Sequence, residues 1–201
     1  MILKCECISE GRQGRRLKEE HYQKLEHTLR HHGSIVDFYE DTMRMPNGDI
    51  VHWDYIQHKG AAAILPVLPD GRILMVHQYR IGPDCETLEI PAGGLNPGED
   101  MKTCAVRECE EETGWRVDGD ASLLLTIYTT PAFCNEKIEV YLAEHLVPGR
   151  QHLDPDEFVH VEAKTLDEIV EMILNGEIID TKTVSAVLTY QALLKKREEK
   201  A

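Results

Sequence analysis

The sequence has no apolar run near the ~20 residues that a membrane-crossing helix needs. Its opening, Met1-Ile2-Leu3-Lys4-Cys5-Glu6, lacks the apolar stretch of a secretory signal. The six cysteines include no C-x-x-C pair and have no histidines at finger spacing, which speaks against a zinc module. Cys5 and Cys7 are close, but two ligands alone do not make a metal site. Without a leader these thiols are expected to be reduced, and the protein cytoplasmic. Positive charge is also scarce. Lys and Arg number 22 against 36 Asp and Glu, a formal net charge of −14. Long nucleic acid is bound by neutralising phosphates with Lys and Arg, so it is not an expected partner, and neither is a membrane. A small phosphorylated ligand stays open, because a divalent cation can carry the positive charge locally. There is no internal repeat, low-complexity segment or basic recognition helix.

What is present is the composition of a globular protein, with 42% hydrophobic and 29% charged residues in 201, enough for one sizeable core and an N-terminal extension. The first 31 residues mix Arg12, Arg15, Arg16 and Lys18 with Glu19 and Glu20. Tyr22, Leu25 and Leu29 share a helical stripe, which predicts a short amphipathic helix. From Ile35 the chain reads as strands, with a hairpin turn at Pro46-Asn47-Gly48-Asp49. Ala61–Leu68 and Ile73–Tyr79 are apolar runs joined by Pro69-Asp70-Gly71. Asp100 to Thr113, closed by Gly114, reads as a helix with a glycine stop. Two strands follow, Leu123–Tyr128 and Ile138–Leu142, with Ile138, Val140 and Leu142 facing inward. Thr165 and Glu168 form a capping box for a helix with the stripe Leu166, Ile169, Val170 and Ile173. A last helix over 183–196 would place Val184, Val187, Leu188 and Leu194 on one side. This order predicts an α/β/α sandwich around a mixed sheet.

The chemistry concentrates in Arg107-Glu108-Cys109-Glu110-Glu111-Glu112-Thr113-Gly114. Like charges three or four apart cost a helix a few tenths of a kcal/mol each, so clustered carboxylates need a reason. Glu108, Glu111 and Glu112 project within roughly 100° of one another on a helix. Beneath a glycine-rich turn they offer hard oxygen ligands for Mg²⁺ or Mn²⁺; alone, they could equally be a solvated acidic face. The wider spacing decides between these. Gly93 is followed by five residues, Glu99, seven residues, then Arg107-Glu108-Cys109-x-Glu111-Glu112-x-Gly114-Trp115. This resembles the Nudix box, G-x5-E-x7-R-E-U-x-E-E-x-G-U with U bulky and apolar, at all seven fixed letters. Cys109 fills a U position and reads as a core residue, not a nucleophile.

The resemblance implies Mg²⁺-dependent (or Mn²⁺-dependent) hydrolysis of a nucleoside diphosphate derivative. By it, Glu108 and Glu112 are metal ligands, and Glu111 is a further ligand or the base for the attacking water. The carbonyl of Ala92 is another ligand, and Arg107 orients the carboxylates. Gly93 and Gly94 let the backbone adopt tight conformations. From about Gly33 to Leu194 the chain is most similar to the ADP-ribose pyrophosphatase subfamily. Pro131 stands at the sixteenth position after the box, which marks that subfamily. Thr130–Glu136 resembles its catalytic loop, making Glu136 a candidate general base. Gln78-Tyr79-Arg80 resembles a strand end whose arginine contacts the diphosphate or terminal ribose, and Glu89 matches the substrate pocket. Many bacterial members carry arginine where this chain has Trp53, and mammalian members have a tryptophan there that stacks on adenine. Trp53 is thus an adenine platform, core packing or dimer interface. Residues 1–57 would form an extension with strands swapped in a homodimer, and 58–201 the hydrolase domain. The leading expectation is ADP-ribose cut to AMP and ribose 5-phosphate. The alternatives are another nucleoside diphosphate derivative, such as an ADP-sugar or dinucleotide, and an ADP-ribose-binding module without turnover.

Overall fold

The computed structural model describes residues 21–155 and 157–200; the Cys5/Cys7 pair and the basic stretch from Arg12 to Lys18 lie outside them. The predicted turn around Asn47 and Gly48, with Gly48 at φ 91°, folds β2 (Asp37–Arg44) onto β3 (Ile50–Gln57). On the other side of β2 lies β1 (Gln23–His32), completing a three-stranded antiparallel sheet. The amphipathic helix expected from Tyr22, Leu25 and Leu29 is therefore not formed. These side chains are exposed, and the segment satisfies its backbone groups by pairing with β2.

The body is a sandwich. Strand β4 (Ala61–Pro66) runs parallel to β10 (Lys137–Ala143), with β7 (Ala92–Gly94) and β9 (Ser122–Tyr128) antiparallel at the edges. A second sheet orders β12 (His160–Lys164), β5 (Ile73–Arg80) and β6 (Cys85–Glu89). The turn at 69–71 thus joins two sheets, with Val67, just past β4, bridged to Ile73 at the start of β5. A short pair, β8 (Trp115–Val117) and β11 (Leu146–Pro148), follows the acidic helix.

That helix, α1 (Met101–Thr113), covers one face. Asp100 caps it by accepting from the N–H groups of Lys102 and Thr103, and Gly114 ends it at φ 73°, where a side chain would be strained. The other face is covered by α2 (Leu166–Leu174), opened by the Thr165/Glu168 capping box, and α3 (Thr181–Glu198). Period-two alternation along β4 divides the core. Ala62 and Ile64 pack with Cys104, Ala105 and Cys109 of α1, while Ala63 and Leu65 pack with Ile169 of α2 and Val187 of α3. Ile138, Val140 and Leu142 join the second cluster as expected; Leu188 stays exposed. Burying a side chain such as Leu65 is worth about 1.5–3 kcal/mol. No helix of the described residues is long and apolar enough to cross a membrane.

The N-terminal sheet is fastened to the body by a seam at the end of β3. Ile56 N–H donates to the Phe133 carbonyl at 2.7 Å. The Asn135 side chain clasps His58, accepting from its N–H at 2.7 Å and donating to its carbonyl at 3.1 Å. The end of β3 is thereby fastened to the loop that carries Glu136.

Candidate active site

Between that seam and the start of α3 lies a cleft of about 450 Å³, lined among others by His58, Arg80, Ala92, Gly93, Glu136 and Lys182. Its acidic side is α1 under β7. Glu108 and Glu112 are buried. A Cβ added to Gly93 would stand 2.0 Å from Glu108 Oε1, so any larger residue here would displace the Glu108 carboxylate from its place. The neighbouring Ala92 N–H donates to Glu112 Oε2 at 3.2 Å. Arg107 gathers the other box carboxylates. It donates to Glu99 through Nε and Nη2, and its Nη1 bonds both Glu108 Oε1 and Glu111 Oε2 at 2.6 Å. Glu111 is more exposed, and its second oxygen lies 3.8 Å from His152 Nε2.

This side carries more negative charge than the protein offsets. Burial, with Glu108 beside it, pushes the Glu112 carboxyl up to about 8, and burial pushes Glu108 up to about 6 against the pull of Arg107. Among the described residues no ion pair reaches Glu112, and no three His, Cys, Asp or Glu side chains already converge around a cation. The donor set nevertheless suits a divalent cation: hard oxygens, buried and short of positive charge, behind a backbone that leaves them room. Cys109 is fully buried, and burial pushes its thiol up to about 12, as befits a core residue.

The opposite wall is cationic. Arg80, at the end of β5, donates to Glu89 through Nε at 2.9 Å and Nη2 at 2.6 Å. Glu89 Oε1 also accepts from Thr87 Oγ1 at 2.5 Å, and its Oε2 accepts from Lys182 Nζ. Glu89 therefore stands behind Arg80 with both oxygens engaged, not at the surface of the cleft. Burial acts to raise its pKa, but Arg80, Lys182 and Thr87 together hold it down at about 2. Lys182 was not read from the sequence, although a cation in the first turn of a helix, against the dipole, was a signal that something compensates it. His58 was missed as well. Its Nδ1 accepts from Gly60 N–H at 3.0 Å, so in the neutral ring the proton is assigned to Nε2.

Glu136 lines the cleft, with Thr129 Oγ1 donating to its Oε2 at 2.6 Å and His58 Nδ1 3.5 Å from its Oε1. Pro131 is exposed on the same loop, next to the cleft-lining Thr130. Trp53 is not brought to this cleft within the chain. It is 44% exposed on β3 and borders a separate hollow with Phe38, His52 and Phe133.

Comparison with known proteins shows the family. A model of the NUDIX domain family matches residues 57–186. The chain is 37% identical to the ADP-ribose pyrophosphatase of Bacillus subtilis (strain 168) over 157 residues, 77% of this chain and 84% of that protein. It is 38% identical to the methanol dehydrogenase activator of Bacillus methanolicus, with the same shares covered. A crystal structure described as an ADP compounds hydrolase superposes with a TM-score of 0.77, covering 88% of this chain and 95% of that one at 19% identity, a likeness of fold. Because the matched segment both spans most of the chain and frames the cleft and its acidic helix, the chain belongs to the Nudix hydrolase family.

Proposed function

We propose that the protein is a Mg²⁺-dependent hydrolase that cuts the diphosphate of ADP-ribose into AMP and ribose 5-phosphate, with Mn²⁺ as a second competent ion. Nudix ADP-ribose pyrophosphatases generally use divalent metal ions. The observation that carries the reading is the pair of buried carboxylates, Glu108 and Glu112, behind Ala92 and Gly93 in a cleft whose other wall is Arg80. Glu108 and Glu112 would hold the ion, with Glu111 and the Ala92 carbonyl as further ligands. The ion supplies charge neutralisation of the diphosphate and acidifies the attacking water.

The chain's own residues do the rest. Arg80 Nη1, free of Glu89, orients the diphosphate. Glu136 takes the proton of the water at Oε1, the oxygen not bonded to Thr129. Water oxygen bonds to one phosphorus, the bridging P–O bond breaks, and the electron pair leaves on the departing phosphate. Glu111 is the other candidate base, but Arg107 holds one of its oxygens at 2.6 Å, and Glu136 itself lines the cleft, which favours Glu136. Arg107 keeps the box carboxylates oriented.

We further infer a cytoplasmic homodimer in which residues 1–57 form the dimerisation region and 58–201 the hydrolase domain. Trp53, apart from the cleft of its own chain and exposed, would stack on adenine in the partner's site; Pro131 shapes the loop that closes over the substrate.

The test is incubation of the pure protein with ADP-ribose and Mg²⁺, following AMP, with EDTA, Trp53→Ala, Glu136→Gln and Glu111→Gln alongside. Expected are metal-dependent AMP release, a KM several-fold higher for Trp53→Ala, and a kcat loss of roughly 10²-fold or more for Glu136→Gln, exceeding that of Glu111→Gln. A panel of ADP-sugars and dinucleotides decides the second reading, since the cleft walls address the diphosphate common to all. Absence of AMP from ADP-ribose would overturn the substrate assignment; a monomer in solution would overturn the shared site.

A further inference from the structure

Arg80 reaches the cleft from the end of a strand, but a buried cluster behind the wall fixes it. Glu89, only 2% exposed, takes two donors on each oxygen: Arg80 Nε and Thr87 Oγ1 on Oε1, Arg80 Nη2 and Lys182 Nζ on Oε2. Lys182 comes from the first turn of α3, and Asp180 Oδ2, the cap of that helix, accepts from it at 3.0 Å. Two things disfavour an ammonium here. It is buried, and it stands at the positive end of a helix. Its ion pairs across the fold offset both.

A carboxylate paired with a single arginine cancels that arginine's charge. Here two cations share Glu89 while Lys182 is also paired with Asp180, so Glu89 is only partly spent on Arg80 and the guanidinium keeps more of its charge than a one-to-one pair would leave it. Asp180, which pairs with Lys182 at 3.0 Å, is held in place by the N–H and hydroxyl of Thr183 at 2.9 and 2.6 Å. The fork geometry of Arg80 on Glu89 leaves Nη1 as the group able to meet an anion.

Resting on the reading of this cleft as a diphosphate site, we propose that Lys182 is a positioning residue for Arg80. By sharing Glu89 it fixes the guanidinium and keeps its charge available to the diphosphate. Lys182 lines the cleft, but its ammonium is committed to Glu89 and Asp180, so its effect on binding runs through Arg80. The two side chains therefore form one unit, and the energetic effects of removing them do not add.

The experiment is a double-mutant cycle with Lys182→Met, Arg80→Met and the double variant. Binding of the non-hydrolysable α,β-methylene analogue of ADP-ribose is measured by calorimetry, beside steady-state kinetics. Each single change is expected to weaken binding roughly tenfold, the scale of a charge-assisted hydrogen bond, and to raise KM more than it lowers kcat. The double variant should bind no more than about twofold worse than Arg80→Met. Multiplying effects, or an unchanged affinity in Lys182→Met, would overturn the proposal. Lys182→Gln, which keeps a donor without the charge, covers failure of the Met variant to fold; wild-type affinity in it would also overturn the charge argument. Failure of the native protein to bind the analogue sinks the ADP-ribose reading instead, and the same cycle on the diphosphate that the substrate panel identifies then decides Lys182.

Discussion

The two walls of the cleft each bury a glutamate, and the two are treated in opposite ways. Glu89 and Glu112 are 2% and 1% exposed, so both lose the hydration that a carboxylate has in water. At Glu89, burial is outweighed by Arg80, Lys182 and Thr87, and the group stays ionised with a pKa of about 2. At Glu112, burial and the neighbouring Glu108 outweigh an N–H from Ala92 and the through-space pull of Lys182, and the pKa rises to about 8. Burial alone therefore does not distinguish a structural carboxylate from a functional one; the partners do. The wall of β5, β6 and α3 is completed by the protein's own cations. The wall of α1 and β7 is short of positive charge, and a cation from outside would complete it.

The largest effect should come from removing the uncompensated carboxylate. Glu112→Gln keeps the shape of the side chain and an oxygen to accept from Ala92 N–H, yet removes an anionic ligand. Turnover with saturating Mg²⁺ is expected to fall by more than about a hundredfold, while the melting temperature in EDTA stays the same or rises. Near-native rates would show that Glu112 holds no ion. A lower melting temperature in EDTA would show that its charge is already balanced within the fold.

The same contrast predicts opposite pH dependences. Glu112 has a folded pKa of about 8, above its ordinary 4.5. The folded protein holds an extra proton between these values, so without metal this group costs stability progressively as pH rises from about 4.5 to 8. Glu89, held at about 2, contributes stability that is present above about 4.5 and lost as pH falls towards 2. In EDTA, the melting temperature of the native protein relative to Glu112→Gln should fall by several degrees between pH 5.5 and 8.5, and Mg²⁺ at pH 8 should restore it. Parallel curves for the two proteins would remove the basis for calling the α1 wall incomplete.

The acidic wall was readable in the sequence because its parts are local. Gly93 to Gly114 places every box residue within one turn and one helix, and Asp100 and Gly114 mark the ends of that helix by their capping chemistry. The cationic wall was half readable. Arg80 and Glu89 lie on adjacent paired strands, but Lys182 meets Glu89 across 93 residues of chain, a distance that no local pattern spans. The N-terminal sheet misled for a physical reason. Strand β1 carries irregularities of register between Lys24 and Glu26 and between Leu29 and His31, which break period-two alternation and leave Tyr22, Leu25 and Leu29 spaced like a helical stripe. His58 gave no local signal, since its place in the cleft depends on the clasp by Asn135 from a distant loop.

The smallest effect should come from the completed wall when it loses a neutral donor and no charge. Thr87→Val preserves shape and removes only the hydroxyl that donates to Glu89 Oε1. Glu89 would still have Arg80 on both oxygens and Lys182 on one, so its ionisation and the placement of Arg80 should survive. The expected loss is about 1 kcal/mol of stability, the net worth of one buried hydrogen bond, with kcat/KM for ADP-ribose within about threefold of the native value. The contrast with Glu112→Gln is the point, because both substitutions are near-isosteric, buried and on opposite sides of one cleft. If Thr87→Val lowered kcat/KM as severely as Lys182→Met, the wall would depend on its full set of hydrogen bonds and not on charge balance. The difference between the two glutamates would then be one of degree.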